Sequence, residues 1–243
     1  MGTPGGQIRD VIVVAPDSSG APWVLSVDFA QPTPLNSSHL LVAVVTHYGS
    51  GVYPPPEPPV GWTQIFQGEG SISTAISIFA RRGDGTVNGI GVAFPRTYGI
   101  ETATLLAFER GGAVEASGTN GGLVWASAPQ VTMSVETPAD QIALVVVFTS
   151  LQGEMVFDPG WAPVEGGTGY QATAVSITTV DDSGTLQADI DLDPERGGYG
   201  VLVTLPRAPL APTMFLGEVQ TAGVRLGDSP VEALYLGDSP LWP

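Results

Sequence analysis

The chain has 243 residues, with 8 Lys+Arg against 24 Asp+Glu and a formal net charge of −16. That balance opposes a protein that binds nucleic acid by neutralising phosphates. Only 13% of residues are charged, against roughly 25% in ordinary domains, and there is no Cys, which excludes a disulfide framework, a thiolate nucleophile and cysteine-ligated zinc.

All eight basic residues are Arg, a skew that a GC-rich genome would produce. Hydrophobic residues make up 43% of the chain, so much of the surface must be neutral polar, glycine or apolar. Gly 32 and Pro 22 stay below the roughly 25–30% of low-complexity disorder and punctuate apolar runs, which predicts a folded chain. The start, Met1-Gly2-Thr3-Pro4-Gly5-Gly6, lacks the charged and apolar regions of a signal peptide. The longest apolar runs, Leu40 to Val45 and Ile142 to Phe148, fall far short of the roughly 18 residues of a membrane helix. The expectation is a soluble chain without membrane insertion.

In chain order, short segments rich in Val, Ile, Phe and Thr alternate with Gly, Pro, Asp and Asn, and helical periodicity is nearly absent. This predicts strands over Asp10 to Val14, Trp23 to Phe29, Leu40 to Tyr48, Thr63 to Phe66, Thr74 to Arg81, Gly89 to Phe94 and Thr102 to Glu109. The fold class is all-β, as a sandwich of jelly-roll or immunoglobulin-like type.

His39 and His47 stand eight residues apart on or beside the third of these strands. An even spacing would aim both at one face, as a metal or catalytic pair, but the second copy of the repeat described next has Gln141 and Thr149 there. Pro54-Pro55-Pro56-Glu57-Pro58-Pro59 is a stiff polyproline spacer in the following loop, and a ligand for an aromatic groove is its alternative reading.

The second hundred residues repeat the first. An offset of 102 sets Trp23 on Trp125 and Leu40-Leu41-Val42-Ala43-Val44-Val45 on Ile142-Ala143-Leu144-Val145-Val146-Val147. From Gly61 the offset is 99, matching Gly61-Trp62 with Gly160-Trp161, Thr74 to Ile78 with Thr173 to Ile177, and Gly85-Thr86 with Gly184-Thr185. Between Gly61 and Thr86 there are ten identities in 26 positions. The three-residue change falls in the Gly49 to Pro59 loop, where insertions belong. The organisation expected is two tandem duplicated β-sandwich domains, 1–112 and 113–209, with the paired tryptophans as core anchors, followed by a short β-rich segment, 210–243.

In the second copy the glycine-rich Gly118-Thr119-Asn120-Gly121-Gly122 and Gly166-Gly167-Thr168-Gly169 lack the Lys and helix of a phosphate loop and read as turns. Asp189, Asp191 and Asp193 alternate with Ile190 and Leu192, so a strand would place the three carboxylates on one face, about 7 Å apart, as a calcium candidate with Glu195. A solvated strand face is the other reading, because no calcium-wrapping Asp-x-Asp-x-Asp-Gly turn occurs there. No set of nucleophile, base and orienter appears, so the chain reads as non-enzymatic, with no cofactor and no assigned metal.

After Pro209 the sequence changes character. Leu-Gly recurs at 216, 226 and 236, each time followed by Glu or Asp, a ten-residue period that fits a short strand and a tight turn. Gly223-Val224-Arg225-Leu226-Gly227-Asp228-Ser229-Pro230-Val231 and Leu234-Tyr235-Leu236-Gly237-Asp238-Ser239-Pro240-Leu241-Trp242-Pro243 resemble the ending of many virion structural proteins of phages that infect actinobacteria, usually described as minor tail proteins. The Pro59-Val60-Gly61-Trp62 and Asp158-Pro159-Gly160-Trp161 loops resemble those in β-sandwich modules of phage tail and head-decoration proteins.

The resemblance implies a minor tail protein, made in the host cytoplasm and located in the virion. It would assemble with other virion proteins and with itself, as a homo-oligomer, trimer or ring. Leu226, Tyr235, Leu236, Leu241 and Trp242 would form the C-terminal docking interface, with Trp and Tyr as its anchors. A capsid decoration protein is one alternative. The other is a host-recognition adhesin whose Tyr53, Tyr98, Tyr170 and Tyr199, read as loop residues, stack on a host surface glycan.

Overall fold

The computed structural model describes residues 13–14, 23–28, 39–49, 56–69, 74–84, 89–94, 99–109, 113–116, 118–149, 154–163, 173–207, 225–226, 229–230, 235–236 and 239–240. Among them the chain is all-β, in several sheets, and no helix is long and apolar enough to cross a membrane. Two compact units divide it, residues 1–209 and 210–243.

The larger unit begins with β1 (Val13–Val14), β2 (Trp23–Asp28), β3 (His39–Gly49), β4 (Thr63–Glu69), β5 (Thr74–Arg82), β6 (Gly89–Phe94) and β7 (Gly99–Glu109). These match the seven strands expected from β-branched and aromatic runs to within a few residues. They form a five-stranded antiparallel sheet in the order β1-β7-β3-β5-β4 and a separate two-stranded sheet, β2-β6. The unit continues with β8 (Gly118–Thr137), β9 (Gln141–Thr149), β10 (Glu154–Phe157), β11 (Ala162–Pro163), β12 (Thr173–Val180) and β13 (Gly184–Pro206). Here the order is β10-β13-β9-β12-β11, with β8 also on β13.

The strand orders of the two halves correspond. The C-terminal part of β13, β9, β12 and β11 run side by side as β7, β3, β5 and β4 do, and β8 pairs with β13 where β1 pairs with β7 and β2 with β6. Two separate pairings in the first half are thus carried by one long antiparallel pair, β8 with β13, in the second. The register along that pair shifts between Asp191 and Arg196, again between Arg196 and Gly198, and between Gly200 and Val201. At its far end Asn120 Nδ2 donates to the Ser134 carbonyl at 2.6 Å. A β-carbon on Gly118 would meet the Glu136 carbonyl at 2.9 Å, so the two halves of β8 lie across from each other. Gly118 to Gly122, read as a turn, belongs to this strand. Glycine there serves the close approach of backbone to backbone.

The central strands are apolar at nearly every position because both of their faces are covered. Leu40, Val42 and Val44 of β3, Ile76, Ile78 and Ala80 of β5, and Leu106 and Phe108 of β7 share one hydrophobic cluster with residues of the second half. Those are Ile142, Leu144, Val146 and Phe148 of β9, Ile177 of β12, and Tyr199, Val201, Val203 and Leu205 of β13. The five-stranded sheet of the first half therefore packs face to face on the matching sheet of the second. On the reverse face of β9, Ala143, Val145 and Val147 join Val131 and Met133 of β8, Ala188, Ile190 and Leu192 of β13, and Trp161 in a second cluster. Burial of each such Val, Leu or Ile side chain contributes roughly 1.5–3 kcal/mol.

Two turns repeat as closely as the strands do. The Trp62 amide donates to the Pro59 carbonyl at 2.9 Å and the Trp161 amide to the Asp158 carbonyl at 3.2 Å. The third residue of each turn is a glycine with positive φ, Gly61 at 81° and Gly160 at 110°, as a type II turn requires. Both turns deliver a buried tryptophan. The Trp161 indole donates to the Gln187 carbonyl at 3.3 Å, while Trp62 lies 6.0 Å beneath the Arg81 guanidinium, itself paired with Asp84 at 2.7 Å.

The stretch before each Gly-Trp turn differs between the halves. Immediately before the second turn, β10 pairs with β13 from Glu154↔Asp193 to Phe157↔Ile190. Immediately before the first stand Pro55-Pro56-Glu57-Pro58, and residues 56–59 form no strand. Pro56 and Pro58 have no amide hydrogen to give a ladder, and among the described residues β6 pairs with β2 alone.

Candidate functional site

Among the described residues of the larger unit, polar side chains converge on the outward face where β8, β13 and β10 meet. Alternation turns Ile190 and Leu192 into the core and leaves Asp189 and Asp191 on the other side. Across the ladder, Val131 and Met133 are buried while Gln130 and Thr132 are exposed. Each carboxylate thus stands opposite a donor. Thr132 Oγ1 donates to Asp189 Oδ1 at 2.5 Å, Gln130 Nε2 to Asp191 Oδ1 at 3.0 Å, and Thr185 Oγ1 to Glu136 Oε1. Gln187 Nε2 donates to Asp189 Oδ2 at 2.7 Å.

Asp158 joins this row from the turn after β10, its amide donating to the Asp189 carbonyl at 3.2 Å. Partial desolvation, then the Asp189 charge and a hydrogen bond to Asp189, then the Asp191 charge, raise the Asp158 pKa above the ordinary carboxylate value. Asp189 moves the other way, lowered by the hydrogen bonds from Thr132 and Gln187 and by that with Asp158, against some desolvation. The pair divides its labour: Asp158 holds a proton more readily, and Asp189 is the stabilised anion. Sequence reading missed Asp158, although the repeated Gly-Trp turn was the signal that places it next to this strand.

The calcium candidate of Asp189, Asp191 and Asp193 falls on this face. The Asp193 side chain is not among those described, and Asp189 has both oxygens engaged by donors. Among the described residues no group of three or more His, Cys, Asp or Glu side chains could hold a metal ion. His39 and His47 both lie in β3, but at about 3.3 Å per residue eight residues set them roughly 26 Å apart, too far to share an ion.

Tyr199 needs correction. It is not in a loop but in β13, opposite Phe148 and Val124, and only 2% exposed within the cluster that joins the two halves. A ring so placed cannot stack on a sugar. Tyr53, Tyr98 and Tyr170 lie outside the described residues, as do Leu241 and Trp242.

The smaller unit contains two matching hairpins. The first joins β14 (Arg225–Leu226) to β15 (Ser229–Pro230), with Leu226 opposite Ser229. The second joins β16 (Tyr235–Leu236) to β17 (Ser239–Pro240), with Leu236 opposite Ser239. Each has a two-residue Gly-Asp connection, a composition suited to the primed turns of tight hairpins. Leu226, Tyr235 and Leu236 thus occupy equivalent short strands ten residues apart. Hairpins of this size are not stable alone in water.

Sequence reading also missed the ion pairs around Arg207. Its guanidinium bonds Asp181 at 2.5 Å and Asp140 at 3.3 Å, and its amide donates to the Asp140 carbonyl at 2.9 Å. These close the end of the sheet formed by β9, β12 and β13. No protein-family model, curated protein or solved structure matches the chain.

Proposed function

We propose that the chain is a non-enzymatic structural protein of a phage virion, a minor tail protein rather than a head-decoration protein. In this reading, residues 1–112 and 113–209 are tandem duplicated β-sandwich domains, and residues 210–243 attach them to other virion proteins and to further copies of the chain. The observation that carries it is the repeated Leu-Gly-Asp-Ser-Pro ending, which resembles minor tail proteins and whose two occurrences adopt the same hairpin pairing in a unit of their own. The shared strand order and the two Gly-Trp turns support the duplication.

The mechanism would be buried area. With few charges to desolvate, Leu226, Tyr235, Leu236, Leu241 and Trp242 would contribute about 25 cal/mol per Å² of apolar surface covered, before association costs. The test is a phage carrying the full-length chain with both Leu226→Asp and Leu236→Asp. The reading predicts a folded, soluble variant whose copy number in purified virions falls at least about tenfold, as the loss of two central apolar anchors entails. Incorporation at the normal copy number would refute it.

A further inference from the structure

The two Gly-Trp turns differ in their reactivity. The residue whose carbonyl accepts from the Trp62 amide is Pro59, whereas the one whose carbonyl accepts from the Trp161 amide, at 3.2 Å, is Asp158, and Pro159 follows it. An Asp–Pro bond carries both its nucleophile and a good leaving group. The side-chain carboxyl stands next to the main-chain carbonyl carbon, and the departing nitrogen is that of a secondary amine, which takes a proton readily. Asp158, Pro159 and Gly160 are all exposed, so water reaches the bond. The Trp161 amide supplies a donor where the oxygen of a tetrahedral centre at residue 158 would need one.

We propose that the chain cleaves itself at Asp158–Pro159. One oxygen of the Asp158 carboxylic acid bonds to the main-chain carbonyl carbon of the same residue. The tetrahedral centre then collapses with loss of the bond to the Pro159 nitrogen, which keeps the electron pair and takes the carboxyl proton. The product is a five-membered cyclic anhydride, which water opens to a free Asp158 C-terminus. The net change is hydrolysis, with no oxidant or reductant. The acid form of Asp158 is the reactive one, and it is favoured by partial desolvation, then by the charge of Asp189 and the hydrogen bond to it, then by the Asp191 charge. Thr132 and Gln187 in turn donate to Asp189, and Gln130 to Asp191. The cut falls between β10 and β11. Strand pairs that cross it, β10 with β13 and β9 with β12 and β13, hold the two fragments together. The reaction is a single turnover on the chain's own backbone and is independent of the structural role put forward above.

The chain's other Asp–Pro bond, Asp193–Pro194 within β13, is an internal control. The full-length chain held at about pH 4.5, between the ordinary carboxylate value and neutrality, should yield fragments 1–158 and 159–243 in denaturing mass spectrometry. Cleavage after Asp158 should be at least about tenfold faster than after Asp193, the low end of what a positioned acid and a positioned donor contribute. Unfolding the chain in urea at the same pH should bring the two rates together, because the turn that aligns the Trp161 amide is then lost. Asp158→Asn should abolish the first cut and leave the second unchanged. Absence of a cut after Asp158, equal rates at the two bonds in the folded chain, or a first cut that persists at the same rate in Asp158→Asn would each overturn the proposal.

Discussion

The Tyr199 hydroxyl occupies the space that a β-carbon on Gly68 would need. The two residues belong to different halves of the larger unit, Gly68 in β4 and Tyr199 in β13, so this overlap is a point at which the halves fit one another. A side chain at 68 would also meet the Phe66 ring at 2.7 Å. Gly68→Ala is therefore expected to destabilise the chain by about 1–3 kcal/mol, the usual cost of overpacking. In a double-mutant cycle with Tyr199→Phe, which removes the nearest atom, part of that cost should disappear. Urea unfolding midpoints of the four chains measure it, and strict additivity would show that the halves do not meet there.

The Gly-Trp turns separate backbone strain from crowding. A β-carbon on Gly160 would touch nothing within 4 Å, whereas one on Gly61 would come 3.2 Å from the Arg81 guanidinium. Alanine at 160 should thus lose stability through positive φ alone, by about 1–2 kcal/mol. Thermal unfolding would detect it, and an unchanged midpoint would mean that the turn relaxes to another type.

Ser77 and Ser176 stand at matching positions of β5 and β12, and both hydroxyls are buried without a hydrogen-bond partner among the described residues. An unsatisfied buried hydroxyl costs about 1–3 kcal/mol, so Ser77→Ala and Ser176→Ala should each leave stability unchanged or raise it by up to about 1 kcal/mol. A loss above about 1 kcal/mol in chemical denaturation would indicate a bonded hydroxyl.

The Asp158–Asp189 pair makes stability depend on pH with opposite signs. A raised folded pKa, as at Asp158, favours the folded state as pH falls and opposes it once the group ionises beside Asp189 and Asp191. Asp158→Asn should therefore stabilise the chain near neutral pH, the gain fading as pH drops through the raised pKa towards the ordinary 3.8. Asp189, with its lowered value, contributes stability above 3.8 that is lost as pH falls through the folded pKa, so Asp189→Asn should destabilise near neutrality and become neutral in acid. Unfolding midpoints at about pH 7 and about pH 3 distinguish the two.

The parts of this fold that were legible in the sequence follow from burial. Leu40 to Val45 and Ile142 to Phe148 are apolar without alternation, and both turn out to be central strands covered on two sides. Face-to-face packing of the two sheets was not legible. It depends on which residues of β5, β7 and β13 meet across the cluster, and periodicity records only that a face is apolar. The length of β8 and β13 was hidden by Gly118 to Gly122 and Pro194, ordinary strand breakers that a long, irregular pair of antiparallel strands accommodates with register shifts. Tyr199 was misplaced for the same reason: Gly197-Gly198-Tyr199-Gly200 reads as a loop, yet it lies inside β13 with the Tyr199 ring buried. At the acidic face, the alternation of Asp189 and Asp191 with Ile190 and Leu192 was readable, but the donors opposite them come from β8, some 57 and 61 residues away in sequence.

The central functional claim is best tested by quantitative mass spectrometry of purified virions from a phage that encodes this chain. The account predicts the full chain, residues 210–243 included, at a fixed and low copy number per particle, in the tail fraction after heads and tails are separated. Its absence from purified virions would contradict the account.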